Sequence, residues 1–326
     1  MTSELPLISF IIPVRNDAER LHRCLQSIRA DTRQHAIEII VADNGSTDRS
    51  ARVAETAGAI VLSLPNRPVS QVRNAAARAA RADLLGFVDA DHELASGWTA
   101  EAIRRMADPA VWAAGADYHA PKPGTWVQRM YDCFRRRTPT VSDAEWLPSG
   151  NLVVRRSAFE QVHGFDETLE SCEDVDFCRR IREAGGRLIS APALCSVHFG
   201  DPKSLRALFL SELWRGRDNI RVSLRERLTW RTAPSVITPI ITLMALVAIV
   251  VGSFLTGFGS SWIAAAGIAT FVGLSAFRAM RLVFQIKPID RQVTDAAQAL
   301  AVGGTYELAR ALALITRAGH GVRRKG

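Results

Sequence analysis

The chain has 326 residues, room for one large domain and an appendage, and 48 % of them are hydrophobic. Its formal net charge is +8, a balance that suits nucleic acid, anionic lipid or a phosphorylated ligand. No helix-turn-helix, zinc-finger or RNA-recognition signature accompanies that charge, which excludes nucleic acid and leaves a membrane surface and a diphosphate.

Leu7 to Val14 (LISFIIPV) is an apolar run of buried-strand length. It lacks the basic region and the small-residue cleavage site of a signal peptide and carries Glu4 and Pro6 at its edge. Asp17 to Ala30 then shows helical spacing through Leu21, Cys24, Leu25 and Ile28. Ile37 to Ala42 reads as a second strand, closed by Asp43-Asn44-Gly45-Ser46, where Asn-Gly makes a turn and Ser46 or Thr47 caps a helix. Ala59 to Leu64 is a third strand, Ser70 to Arg81 an Ala-rich helix and Leu84 to Val88 a fourth strand. This alternation predicts a mostly parallel sheet with helices on both faces.

The fourth strand ends in Asp89-Ala90-Asp91. In extended backbone, residues i and i+2 share a face, so both carboxylates are expected to converge on one hard cation, Mg²⁺ or Mn²⁺, beside a diphosphate. Ligands of parallel sheets bind beyond the carboxyl ends of the strands. Pro13 to Asn16, Asp43 to Ser46 and Asp89 to Asp91 therefore should gather along one edge. No G-x-G-x-x-G follows any strand, which argues against a dinucleotide dehydrogenase.

Four segments, SFIIPVRNDAERLHRCLQSI, VADNGSTDRS, QVRNAAARAARADLLGFVDAD and SGNLVVRRSAFEQVHGFDETLESCEDVDFCRRI, resemble in order and spacing the family 2 glycosyltransferases, over roughly residues 5 to 200. The resemblance implies a GT-A, Rossmann-like fold. It implies that Asp43 bonds the nucleobase, typically uracil, with Pro13, Val14 and Asn16 around the base, and that Arg73 faces the diphosphate. Asp89 would contact ribose or metal, Asp91 would ligate the metal, and His198 is placed like a late metal-binding histidine. Gly150 and Asn151 would border the donor sugar. Asp174, in Ser171-Cys172-Glu173-Asp174, would be the base of an inverting transfer, with Glu173 as second choice. The rival reading of Asp174 is a capping box at a helix start, whose dipole would lower its pKa. Pro68 and Ala76 stand where the family often has small residues, frequently glycine, and His163-Gly164 where Gly-Gly is common. His92 replaces a second acidic residue; it reads as a solvated loop histidine, with a further ligand as the alternative.

Trp126, Met130 and Phe134 recur at helical spacing before Arg135, Arg136 and Arg137. This is either an interfacial helix or one packed on the sheet. From Thr232 to Phe277 no side chain is charged. Val236 to Thr256 and Ser261 to Phe277, continued by Leu282 to Phe284, are long enough to span a bilayer, with a turn at Gly257 and Gly259. Arg225, Arg227 and Arg231 precede them and Arg278, Arg281 and Lys287 follow, placing both ends in the cytoplasm by the positive-inside rule. Arg215 and Arg217, on an amphipathic link from Ser204 to Asn219, are candidates to hold an acceptor phosphate. After Pro288, two short helices broken at Gly303-Gly304 and a basic end, Arg323-Arg324-Lys325, are expected. Cys24, Cys133, Cys172, Cys178 and Cys195 form no C-x-x-C pair, as expected of reduced thiols.

These readings assign a GT-A domain to residues 1–228, a transmembrane hairpin to 229–284 and a cytoplasmic amphipathic tail to 285–326. The expected activity is a metal-dependent, inverting transfer of one sugar from a nucleotide-sugar to a lipid-linked acceptor of envelope or exopolysaccharide synthesis. The Q-x-x-R-W motif of processive synthases is absent. A non-catalytic nucleotide-sugar-binding scaffold has no chemical need for Asp43, Asp89, Asp91 and Asp174 together. A nucleotidyltransferase needs a basic, glycine-containing loop after the first strand, which PVRNDAER does not provide.

Overall fold

The computed structural model describes residues 5–33, 35–135, 140–230, 232–254, 261–285 and 293–316. Two compact units separate. The first takes in the chain up to Pro121 with Arg135–Gly200, and the second Lys122–Phe134 with the chain from Asp201 onward.

The first unit begins with β1 (Ile8–Val14), α1 (Ala18–Asp31), β2 (Ile37–Asp43), α2 (Ser50–Thr56), β3 (Ile60–Ser63), α3 (Val69–Ala79) and β4 (Leu84–Val88), the alternation expected from the sequence. There follow β5 (His92–Leu94), α4 (Trp98–Met106) and β6 (Val111–Gly115). The chain then passes through α5 (Trp126–Asp132) of the second unit. It returns as β7 (Ser142–Asp143), β8 (Asn151–Arg155), α6 (Arg156–Gln161), α7 (Glu173–Glu183), β9 (Arg187–Ser190) and β10 (Ser196–His198).

The main sheet has the order β3-β2-β1-β4-β8-β6-β9-β7. β3, β2, β1 and β4 run parallel. β8 lies antiparallel between β4 and β6, and β7 is antiparallel on β9. Both faces are covered, which is why β1 reads as a continuous apolar run. Ile8, Phe10 and Ile12 pack with Leu21 and Leu25 of α1 and Trp98 of α4. Ile11, on the opposite face, packs with Val72 and Ala76 of α3 and Phe177 of α7. The antiparallel entry of β8 pairs Asn151 with Val88, which sets Gly150 against the end of β4. β5 and β10 form a separate antiparallel ribbon in which His92 pairs with His198.

The second unit is helical: α5, then α8 (Leu205–Arg215), α9 (Asn219–Ser223), α10 (Ala233–Phe254), α11 (Ser261–Gln285) and α12 (Val293–Ala313). α5 starts at a capping box between Thr125 and Gln128. Its Val127, Met130 and Tyr131 pack with Leu208, Ala279, Leu282 and Val302 of the other helices of that unit. α10 and the Ser261–Phe284 part of α11 are long and apolar enough to cross a membrane.

Where two short helices are expected after Pro288, α12 is continuous through Gly303-Gly304. A glycine costs a helix only about 1 kcal/mol relative to alanine. Here it admits the neighbour, since a Cβ on Gly303 would come 3.2 Å from the Ser275 carbonyl of α11. Arg278 is no free flanking cation: its Nε lies 2.5 Å from Oε1 of buried Glu307 on α12. The Gly257–Gly259 turn, Arg136, Arg137, Arg231, Lys287, Pro288 and the terminal basic cluster lie outside the described residues. All five cysteines are free thiols.

Candidate active site

At the carboxyl end of β1, Pro13 sits in the ladder opposite Ala42 and the Val14 carbonyl accepts from the Asn44 amide at 2.8 Å. Asn16 adopts a left-handed φ of 53°, and its Oδ1 accepts from the Thr47 amide at 2.7 Å. Asp43, buried at the end of β2, accepts from the Ser46 amide at 3.0 Å through Oδ1. Adjacent parallel strands thus bring Pro13, Val14, Asn16 and Asp43 to one edge, and the two loops brace each other.

The carboxylates of Asp89 and Asp91 do not share a face. β4 ends at Val88, and a turn closed by the His92 amide on the Asp89 carbonyl at 3.0 Å replaces extended backbone. Period-two alternation is lost there, and the side chains part. Asp89 Oδ1 accepts from Arg73 Nη2 at 2.6 Å. Arg73 is only 3 % exposed, and its Nη1 donates to Glu173 Oε1 at 2.7 Å. The arginine read from sequence as facing a diphosphate is therefore a buried bridge from the end of β4 to the start of α7. Its two carboxylates hold its pKa up against burial.

α7 starts after Cys172, which takes a left-handed φ of 58° and makes no side-chain cap, so the capping-box reading of Ser171 and Asp174 does not hold. Asp174 instead accepts from the Val175 amide at 2.8 Å and the Ser149 amide at 3.4 Å. Contrary to the helix-dipole expectation, burial and then the adjacent charge of Glu173 push its carboxyl up to about 7. These two effects exceed what backbone donors and Arg73 can offset.

Gly150 lies directly against this group, and a Cβ there would come 2.7 Å from Asp89 Oδ2. Asn151, expected beside the donor sugar, is enclosed by the scaffold. It is 0 % exposed. Its Oδ1 accepts from Trp98 Nε1, and its Nδ2 donates to the carbonyls of Ala116 and Leu194. A buried amide must be satisfied, and this one is satisfied by the scaffold. His163, where the family often has glycine, takes a left-handed φ of 60°.

Asp91 turns to the β5–β10 ribbon. His198 Nε2 is 3.3 Å from its Oδ2, and Arg20 Nη1 is 3.8 Å away. Burial opposes ionisation of Asp91, but His198, His92 and Arg20 together hold its carboxyl well below the usual carboxylate range. His92 is not a solvated loop residue: it is 2 % exposed, and its Nδ1 lies 2.8 Å from Ser196 Oγ. Burial and then His198 lower its pKa to about 4. Ligand atoms of Asp91, His92 and His198 all lie within 4.8 Å of one another. A carboxylate beside imidazole nitrogens fits a divalent cation. Asp89, expected as a ligand, stands outside that group. Gly200 closes it, since a Cβ there would fall 2.0 Å from Asp91 Oδ2. Sequence reasoning passed over Ser196 and Gly200, because only the pairing of β10 with β5 brings them to Asp91, and over Arg20, which reaches Asp91 from α1.

Arg215, expected at an acceptor phosphate, is engaged by its neighbours. Within the second unit its Nη1 donates to Tyr131 Oη at 2.5 Å and to Glu212 Oε1 at 2.9 Å. Arg310 of α12 reaches the other oxygen of the same glutamate at 2.9 Å. Arg217, half-buried, follows Gly216 at the end of α8.

Residues 9–162 match the family model described as glycosyl transferase family 2. The chain is 30% identical over 287 residues to the pre-mycofactocin glycosyltransferase of Mycobacterium tuberculosis, an alignment covering 84% of this chain and 58% of that protein. It is 27% identical over 239 residues to the N-acetylglucosaminyl-diphospho-decaprenol L-rhamnosyltransferase of the same species, covering 61% of this chain and 76% of the other. It thus spans little more than half the length of the first relative. Among solved structures, the mannosyltransferase PcManGT from Pyrobaculum calidifontis, in complex with GDP-Man and Mn²⁺, superposes with a TM-score of 0.61 at 17% identity, covering 93% of this chain and 88% of the other. The last likeness concerns the fold alone. The doubly covered sheet with polar clusters along its carboxyl edge has the GT-A fold, and over residues 9–162 the chain is similar to glycosyl transferase family 2.

Proposed function

We infer that this chain transfers a single sugar, with inversion, from a nucleotide-sugar, most simply a UDP-sugar, to a lipid-linked acceptor of envelope or exopolysaccharide synthesis. The observation that carries the reading is the Arg73 bridge, which ties Asp89 at the end of β4 to the Glu173–Asp174 pair at the start of α7. It holds a carboxylate of elevated pKa beside the edge where parallel sheets bind ligands.

Asp174 accepts the proton of the acceptor hydroxyl as that oxygen attacks the anomeric carbon, and the nucleoside diphosphate leaves from the opposite face. Pro13, Val14, Asn16 and Asp43 seat the base, and Gly150 lets the sugar approach the Asp89 carboxylate. Asp91 and His198 would hold a divalent ion, Mg²⁺ or Mn²⁺, whose chemistry when bound is to take up charge on the departing diphosphate. The lipid-linked acceptor is supported by α10 and α11, and by the relative whose name specifies a diphospho-decaprenol substrate. We place the catalytic unit and both termini on the cytoplasmic side of the inner membrane, from the charge that flanks the spans.

The test is binding of UDP, GDP and dTDP to detergent-purified protein with and without Mn²⁺, beside Asp91→Ala, followed by transfer from the cognate nucleotide-sugar to polyprenyl-diphosphate sugars. Metal-dependent binding of one nucleotide that Asp91→Ala abolishes, together with transfer, is the expected outcome. Absence of nucleotide binding under every metal condition would overturn the reading and favour a scaffold.

A further inference from the structure

We propose that His92 is a third protein ligand of the metal site, and that the resulting donor set of one carboxylate and two imidazoles makes the site select a transition-metal ion such as Mn²⁺ over Mg²⁺. The inference rests on the metal-assisted reading above but concerns the ion and not the transfer. A histidine following Asp91 in a loop would ordinarily point to water, and here it does not.

The geometry has three independent parts. The antiparallel register of the ribbon sets His92 directly across from His198, so the two side chains emerge on one face. The rings lie 4.6 Å apart between centroids, and each also meets Tyr118, at 4.9 Å and 4.7 Å. Tyr118 thus walls the pair on one side. Ser196 Oγ, 2.8 Å from His92 Nδ1, engages one ring nitrogen and leaves Nε2 as the ligand atom, the arrangement by which outer groups set the orientation of metal-binding histidines.

Mg²⁺ prefers oxygen donors in a near-octahedral shell and gives up water reluctantly. Imidazole nitrogen suits later and softer ions. A site whose protein donors are two nitrogens and one oxygen therefore gains least from Mg²⁺ and progressively more along the series from Mn²⁺ to Co²⁺. Asp89, whose Oδ1 accepts from Arg73, stands outside the cluster of Asp91, His92 and His198.

The experiment uses the full chain in detergent, free of nucleotide. Mn²⁺ binding is followed by electron paramagnetic resonance, and ¹⁴N couplings of the bound ion are counted by pulsed methods. Wild-type protein should show two coupled imidazoles, and Mg²⁺ should compete about tenfold or more weakly than Mn²⁺. His92→Gln should leave one coupled imidazole and weaken Mn²⁺ binding by about tenfold or more, whereas His22→Gln, on the exposed face of α1, should change neither. One coupled imidazole in the wild type, equal competition by Mg²⁺, or no Mn²⁺ binding without nucleotide would each overturn the proposal. The wild-type count does not depend on any variant folding. Two coupled nitrogens without sugar transfer would uphold this inference while the transferase reading falls.

Discussion

Asp174 and Arg73 show how single side chains set the chemistry. A general base works best with a pKa near the operating pH, and burial together with Glu173 pushes Asp174 up to about 7. Because the base must be ionised, the transfer rate should fall about tenfold per pH unit below that value and level off above it. Asp174→Asn should lower turnover by about 10²- to 10⁴-fold and leave nucleotide binding unchanged, as measured by steady-state transfer and calorimetry. Linkage gives a second, independent check. A folded-state carboxyl raised above its unfolded value holds its proton more tightly in the native state, so its contribution to stability declines as pH rises from about 4 toward 7. The asparagine variant should therefore melt higher than wild type at pH 8 and show a smaller difference at pH 5. Arg73→Gln should do the reverse. It leaves buried Glu173 without its cation, while Asp89, a third exposed, is partly screened by water, and should cost about 3 kcal/mol by denaturant unfolding.

At the scale of elements, short connections decide which residues meet. The turn after β4 sends Asp89 to Arg73 and Asp91 to the ribbon, and β8 returning antiparallel lays Gly150 across both strand ends. In the helical unit, α5, α8 and α12 are joined at buried Glu212, which accepts from Tyr131, Arg215 and Arg310. Burial opposes its ionisation, but Arg310 and Arg215 outweigh it and hold its carboxyl below the usual range. A depressed carboxylate stabilises the fold above its unfolded pKa, near 4.3, and that support is lost as pH falls through the folded value. Glu212→Ala should lower the melting temperature markedly at pH 7 and by less at pH 3, seen by thermal unfolding in detergent. It should also expose α5 to protease ahead of the sheet, because α5 then loses the hydrogen bond from Tyr131 to Glu212 of α8.

For the whole molecule, the two apolar helices carry the expectation of membrane residence. The chain should stay with the membrane fraction through alkaline carbonate and high salt and be released by detergent. Release by salt alone would mean that α10 and α11 pack on other protein and not in lipid. Arg278 pairs with Glu307 yet still counts toward orientation, because sidedness follows the number of flanking Lys and Arg residues and not the net charge. Orientation rests on Arg225, Arg227, Arg278 and Arg281 among the flanking cations of the described residues, and labelling of single introduced cysteines next to each end would read it directly.

What the sequence determined by itself is what local periodicity and connectivity dictate. Continuous apolar runs such as Leu7 to Val14 can be buried only as strands covered on both faces, and their alternation with helices forces a parallel order that brings Asp43 and Asp89 to one edge. Runs free of charge and about 20 residues long declare membrane-length helices in the same way. The tertiary structure decided everything that depends on pairing at long separation. Arg73 finds Glu173 100 positions away in the chain, and His92 finds Ser196 104 positions away. Such contacts leave no periodic trace. An arginine on an Ala-rich helix, a histidine after an aspartate and an asparagine after a glycine look alike in sequence whether they face water or the core. Burial assigns them, and burial is set by how distant elements close over one another: Arg73 becomes a bridge, His92 turns in against Ser196 and His198, and Asn151 satisfies the carbonyls of its own scaffold.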